Sequence, residues 1–215
     1  NNLRLINFYN LKNFFPKIEK EISFKNQKIK LEYKKDKLNV TGKGEVFLQN
    51  EIDEIKYEIL KRKNEYLFNT TLNISKNPFE IDLLNYQKDK KSVLKLNIKA
   101  KKKIKKKLIF DEISLKEKDN IILIKDLILS NDYKLNSIKD INIDYIDKEN
   151  LKNKIQLTKK NKDYLISGKS FNVNNIIDKL LNSENTKKVK FLNKNFKIIF
   201  DIERVHLDKQ NFINN

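Results

Sequence analysis

Three stretches of this chain alternate apolar and polar side chains with a period of two, and no other feature constrains the fold as tightly. Leu94, Leu96, Ile98 and Ala100 alternate with Lys95, Asn97, Lys99 and Lys101. Ile141, Ile143 and Tyr145 alternate with Asp140, Asn142 and Asp144. Phe196, Ile198, Phe200 and Ile202 are opposed by Lys197, Ile199, Asp201 and Glu203. A strand turns successive side chains to opposite faces, so each stretch has one apolar face and one wet face.

Weaker alternation marks Ile29–Tyr33, Lys37–Thr41, Glu45–Leu48, Ile55–Leu60, Tyr66–Ile74, Phe79–Leu84, Lys107–Leu115, Ile121–Leu129, Lys154–Leu157 and Tyr164–Ile166. Short polar links separate these segments, which reads as consecutive antiparallel hairpins and not as βαβ units. The expected fold is mainly β: a curved, open antiparallel sheet of consecutive hairpins with one or two short amphipathic helices.

Helical spacing occurs twice. Val173, Ile176, Ile177, Leu180 and Leu181 fall on one helical stripe, which predicts a helix over Asn175–Asn182 with Asn175 as its N-cap. Phe8, Leu11, Phe14, Phe15, Ile18 and Ile22 approach the same spacing, interrupted by Pro16. The chain therefore divides into a partly helical N-terminal segment, 1–24, and a β-sheet region, 25–215.

Composition excludes several functions. The 215 residues contain no Cys, which removes disulfide scaffolds, thiol catalysis and Cys-ligated zinc. They also contain no Met, so the chain is expected to be a slice of a longer protein. The longest apolar run is Ile121–Ile124, far below the roughly 20 residues of a membrane-spanning helix. Of the 47 basic residues only three are Arg. A Lys-biased composition of this kind weakens basicity as a functional signal.

Lys99–Lys107 holds seven Lys in nine residues, a pattern suited to phosphate or anionic lipid headgroups. It lacks the Arg and interleaved aromatics of nucleic-acid readers, so an exposed turn or strand end is expected, with no specific nucleic acid as partner. Asp201 and Glu203 share a strand face while His206 points away, so no metal is expected there. Asp140, Asp144, Asp147 and Glu149 lack the spacing of a calcium loop. Gly42–Lys43–Gly44 is expected to form a turn or bulge, since it lacks the spacing of a phosphate loop. No catalytic constellation, cofactor or metal site is expected.

The order of elements over residues 154–207 carries a resemblance. A strand with Tyr164–Leu165–Ile166 runs into Ser167–Gly168–Lys169–Ser170–Phe171–Asn172–Val173, then the short helix, a polar link and the long strand Asn195–Leu207. This resembles the AsmA-like C-terminal region of YhdP-type envelope proteins, part of the bridge-like lipid transfer superfamily. The family's strand, G-x-x-[FL]-D turn, short helix and returning strand map onto Gly168, Phe171, Val173, Ile176, Ile177, Leu180 and Leu181, with Asn172 standing where Asp is usual. The resemblance implies the periplasmic part of a protein anchored in the inner membrane outside this segment, with a role in outer-membrane biogenesis. It also implies an apolar β-groove for phospholipid acyl chains, flanked by neighbouring segments of the same chain.

Leu94, Leu96, Ile98, Ile141, Ile143, Tyr145, Phe196, Ile198, Phe200 and Ile202 are the groove candidates. Two alternatives remain open at the level of sequence: a basic β-rich nucleic-acid-binding module, and a structural or interaction domain without ligand.

Overall fold

The computed structural model describes residues 3–6, 11–19, 21–103, 107–131, 134–181 and 197–215. Its strands are β1 (Leu3–Ile6), β2 (Glu21–Lys34), β3 (Lys37–Phe47), β4 (Ile52–Arg62), β5 (Glu65–Ile74), β6 (Glu80–Ile81), β7 (Tyr86–Gln87) and β8 (Leu94–Lys103). The second half adds β9 (Leu108–Glu117), β10 (Asn120–Leu129), β11 (Leu135–Ser137), β12 (Asp140–Ile146), β13 (Lys152–Lys160), β14 (Asp163–Asn172), β15 (Ile198–His206) and β16 (Phe212–Asn214). One helix, α1 (Asn174–Leu181), lies between β14 and β15.

Fourteen strands form one sheet in the order β1-β2-β3-β4-β5-β8-β9-β10-β12-β13-β14-β15-β16, with β11 beside β10. The sheet is curved and not closed, as the alternating rows predict. Neighbours in sequence pair antiparallel almost throughout, through links as short as the Lys35–Asp36 turn, where both residues take positive φ. Two residues at positive φ twist a hairpin turn the same way as its strands.

The exception is β14 with β15, which pair in parallel. Parallel neighbours require a crossover, and α1 lies within it. The chain thus contains one βαβ unit among its hairpins, contrary to the reading of hairpins alone. Residues 168–172 belong to β14 itself instead of forming a turn.

The register carries one apolar face across nearly the whole sheet. Ile55, Leu72, Leu96, Leu115, Ile122, Ile143, Ile155, Gly168 and Ile202 stand opposite one another, strand to strand. Gly168 sits where β13 and β14 shift register; a Cβ there would overlap the carbonyl of Lys154 and lie 2.7 Å from Ile155 Cα. Only glycine lets the two backbones approach so closely.

One end of this face is covered by protein. The cover consists of residues 11–19, the link 75–92 between β5 and β8, and α1. Phe15, Ile18, Phe79 and Tyr86 from the cover pack with Val46, Leu72, Leu94, Leu115, Ile143, Tyr145 and Ile202 from the sheet. Ring contacts run through this core: Phe15 to Phe79 at 5.3 Å, Phe79 to Tyr86 at 6.5 Å, and Tyr86 to Tyr145 at 5.5 Å between centroids.

Three expectations need correction. The helical spacing over Phe8–Ile22 does not make a helix in the described part of that range. Leu11–Asn13 is a single 3-10 turn, Phe15 and Ile18 are buried, and Ile22 already belongs to β2. Pro16 ends any helix there, and the aromatic spacing serves burial over the sheet; Phe8 lies outside the described residues. The 1–24 segment is also not separate from the sheet, because Leu3–Ile6 pairs with Glu21–Phe24. Finally, Phe79–Leu84 is a strand only at Glu80–Ile81 and continues as a 3-10 turn, closed by Asn85 at φ 54°.

Candidate functional site

The ten groove candidates divide according to the cover. Leu94, Ile143, Tyr145 and Ile202 are buried beneath it and form ordinary core. Leu96, Ile98 and Ile141 are half-buried at its margin. Ile198 and Phe200 lie outside it, with Phe200 58% exposed. Phe196 lies outside the described residues. The register places all nine described candidates on one face.

The uncovered half of that face contains more than these rows. Ile29, Leu31 and Tyr33 of β2 stand opposite Gly42, Val40 and Leu38 of β3, and are 59%, 64% and 72% exposed. Farther along the sheet, Tyr57, Thr70, Ile98, Ile113, Ile124, Ile141, Leu157, Ile166 and Phe200 make one cross-strand row. The apolar surface therefore runs from β2 to β15 and is exposed most at the two sides. The Ile29–Tyr33 alternation was legible in sequence as a strand, but nothing in it told exposed apolar residues from core.

Polar side chains at the covered end are consumed in fastening the cover. The Glu117 carboxylate, 1% exposed, accepts from the Tyr86 hydroxyl at 2.5 Å, the Asp89 N–H at 2.8 Å and the Ser92 hydroxyl. Asp53, equally buried, accepts from the Ser75 N–H at 3.0 Å and the Asn77 amide at 2.7 Å. Burial holds the Asp53 carboxyl above its ordinary value, partly offset by these hydrogen bonds. Gln49 joins two pieces of cover, accepting from the Lys17 N–H and donating to the Pro78 carbonyl. These groups satisfy backbone donors and acceptors that a buried link would otherwise leave unpaired.

The turn-helix residues fall at the same end. Phe171 is buried, and Val173 and Ile176 pack against the core, while Ile177 is 36% exposed. The side chains of Leu180 and Leu181 lie outside the described residues. The helix begins one residue earlier than expected, at Asn174, whose N–H donates to Asn172 Oδ1. Asn175, the expected N-cap, donates to the Asp82 carbonyl at 2.7 Å and so fastens α1 to the 75–92 link.

Several of the remaining charged candidates form ion pairs or hydrogen bonds. Within the lysine run, Lys99–Lys103 ends β8, and residues 104–106 lie outside the described residues. Lys99 pairs with Glu112 at 3.2 Å, Lys101 with Asp111 at 2.6 Å and Lys103 with Glu65 at 4.0 Å. Asp144 faces Lys152 and Lys154. Asp140 accepts from the Gln156 amide. Asp147 accepts from the N–H groups of Glu149 and Leu151, each at 2.9 Å.

Among the described residues no three His, Cys, Asp or Glu side chains gather to hold a metal ion. No helix among them is long and apolar enough to cross a membrane.

Gly42–Lys43–Gly44 is neither turn nor bulge but the middle of β3. The bulge is in β2, across from it, where two residues, Asn26 and Gln27, stand against Gly44 alone. The Gln27 amide occupies the space left by Gly44 and donates to the carbonyls of Lys25 and Glu45. The ring of Tyr57 lies over Gly42.

Comparison with protein-family models, curated proteins and solved structures finds no match for this chain.

Proposed function

We propose that this chain is a non-enzymatic segment of an elongated envelope protein, and that the uncovered half of its apolar face carries phospholipid acyl chains between inner and outer membranes. The observation that carries this reading is the exposure of Ile29, Leu31, Tyr33, Ile198 and Phe200 on one continuous apolar face. Apolar patches beyond a few hundred Å² are rare on soluble proteins and mark interaction sites. Acyl chains laid on this face would complete its burial at about 25 cal/mol per Å². The buried carboxylates Asp53 and Glu117 are engaged in holding the cover. The strand–helix–strand order around α1 agrees with the AsmA-like resemblance.

The reading is tested by photo-crosslinkers placed, in cells, at Leu31, Ile98 and Phe200 on the apolar face, and at Lys95, Asp144 and Asp201 on the other. Phospholipid capture by the first set alone is the expected result. Equal capture by both sets, or none by either, overturns it.

A further inference from the structure

Across this sheet, lysines generally face carboxylates: Lys99 faces Glu112, and Lys152 and Lys154 share Asp144. Some rows on the polar face depart from that pattern, and one of them runs through the middle of β2, β3 and β4. Lys28 of β2 stands opposite Lys43 of β3, and Lys43 stands opposite Lys56 of β4. Like charges directly opposite on neighbouring strands repel. No carboxylate among the described residues comes within ion-pair distance of these three, although Lys30 beside them pairs with Glu32 at 2.6 Å.

The row also lies in a depression. Two adjoining concavities, of about 560 and 270 Å³, both include Lys28, Lys43 and Lys56 in their walls. The larger adds Lys30, Thr41 and Thr71, with Glu58 its one carboxylate. In the smaller, the carboxylates of Glu45 and Glu54 are held by the amides of Asn26 and Asn73. The other basic cross-strand pairs among the described residues, Lys34–Lys37, Lys37–Arg62 and Lys95–Lys116, line neither concavity.

We infer that the Lys28–Lys43–Lys56 row is a binding site for a phosphate group, carried by a small phosphorylated molecule or by a phospholipid headgroup. A phosphate seated among three ammonium groups would replace their mutual repulsion with charge-assisted hydrogen bonds. The larger concavity has the volume of a small-molecule site, within the usual range of about 300–1,000 Å³. This inference stands independently of the acyl-chain reading, since it concerns the opposite face of the sheet.

The test uses the scarcity of glycine. The chain has three glycines, and Gly42 and Gly44 flank Lys43 while Gly168 lies far away on β14. Their backbone NMR signals are followed while inorganic pyrophosphate, glycerol phosphate, or vesicles of phosphatidylglycerol or phosphatidylcholine are added at about 0.1 M salt.

Gly42 and Gly44 should respond and Gly168 should not. A response to the soluble phosphates alone identifies a small phosphorylated ligand, a response to phosphatidylglycerol alone identifies a headgroup, and a response to both identifies the group they share. Replacing the row (Lys28→Gln, Lys43→Gln, Lys56→Gln) should weaken binding about fivefold per lysine, about 100-fold in all. Removing the same charge elsewhere (Lys95→Gln, Lys116→Gln, Lys125→Gln) should leave it within about twofold, because exposed charges more than about 10 Å apart are largely screened. Equal weakening by both triple variants, equal shifts at all three glycines, or no shift with any probe overturns the site.

Discussion

The side-chain amide of Asn172 donates to the Asp147 carboxylate at 2.8 Å, while the Asn172 N–H donates to Asn153 Oδ1 at the same distance. Asn153 completes the knot with its own amide, 3.3 Å from Asp147 Oδ2. All three side chains are buried, at the end of β14, in the turn after β12 and at the start of β13. The neighbourhood of Asn172 favours an amide over a carboxylate at this position. A carboxylate here would meet another carboxylate where the amide supplies a donor. Asn172→Asp is expected to cost about 3 kcal/mol at neutral pH, from a lost donor and an added buried charge. The deficit relative to the native protein should shrink as pH falls through the carboxylate range, since protonating one acid restores a donor. Urea unfolding at several pH values checks this, and a pH-independent deficit would refute it.

The covered and uncovered halves of the apolar face should respond differently to truncation. Leu94→Ala, at a fully buried position, is expected to cost about 3 kcal/mol. Phe200→Ala, on the uncovered half, should cost under about 1 kcal/mol. Equal losses in denaturant titrations would mean that the whole face is core.

Gly168 and Gly42 should also differ. A methyl at Gly168 strikes the backbone of β13, which cannot yield without breaking the ladder, so Gly168→Ala should cost about 3 kcal/mol. A methyl at Gly42 meets the far end of the Tyr57 ring, which can swing aside, so Gly42→Ala should cost about 1 kcal/mol. Thermal unfolding of the two variants gives the comparison.

Alkaline stability should depend on the two core tyrosines. Burial, together with the Glu117 carboxylate, raises the Tyr86 phenol well above its ordinary value, and burial with the nearby Asp147 charge does the same for Tyr145. A phenol raised on folding contributes stability that is fully present below its unfolded value. That stability is lost as pH rises from the unfolded value, near about pH 10, toward the folded one. Each tyrosine should therefore cost about 1.4 kcal/mol per pH unit above about pH 10. Tyr86→Phe should remove one such contribution, seen as a shallower fall in unfolding free energy between about pH 10 and 11.5. An unchanged slope would show that Tyr86 ionises freely in the folded protein.

Much of the sheet was legible because period-two alternation is local, as the pairing of Leu96 with Leu115 and of Ile143 with Ile155 illustrates. Strand ends were less legible, because register shifts interrupt the alternation: β2 begins at Glu21, before the bulge at Asn26–Gln27, and β14 runs on past Gly168 to Asn172. The parallel pairing of β14 with β15 was missed because Ile198–Ile202 has the same alternation in either direction. The lysine row was invisible as well: Lys28, Lys43 and Lys56 are scattered along the chain, and only the one extra residue of the bulge at Asn26–Gln27 brings Lys28 into register.

The amino-acid order by itself determined which side chains share a face, because strand geometry sends every second residue the same way whatever the neighbours are. It likewise determined the α1 segment, through a stripe of apolar residues that only a helix can align. Tertiary structure decided which part of the apolar face became core. That depended on where residues 11–19 and 75–92 came to rest, held by Asp53, Gln49 and Glu117 from strand ends far apart in the chain. Burial is a relation between distant segments, so Leu94 and Phe200 could carry the same local pattern while one was sealed and the other left 58% exposed.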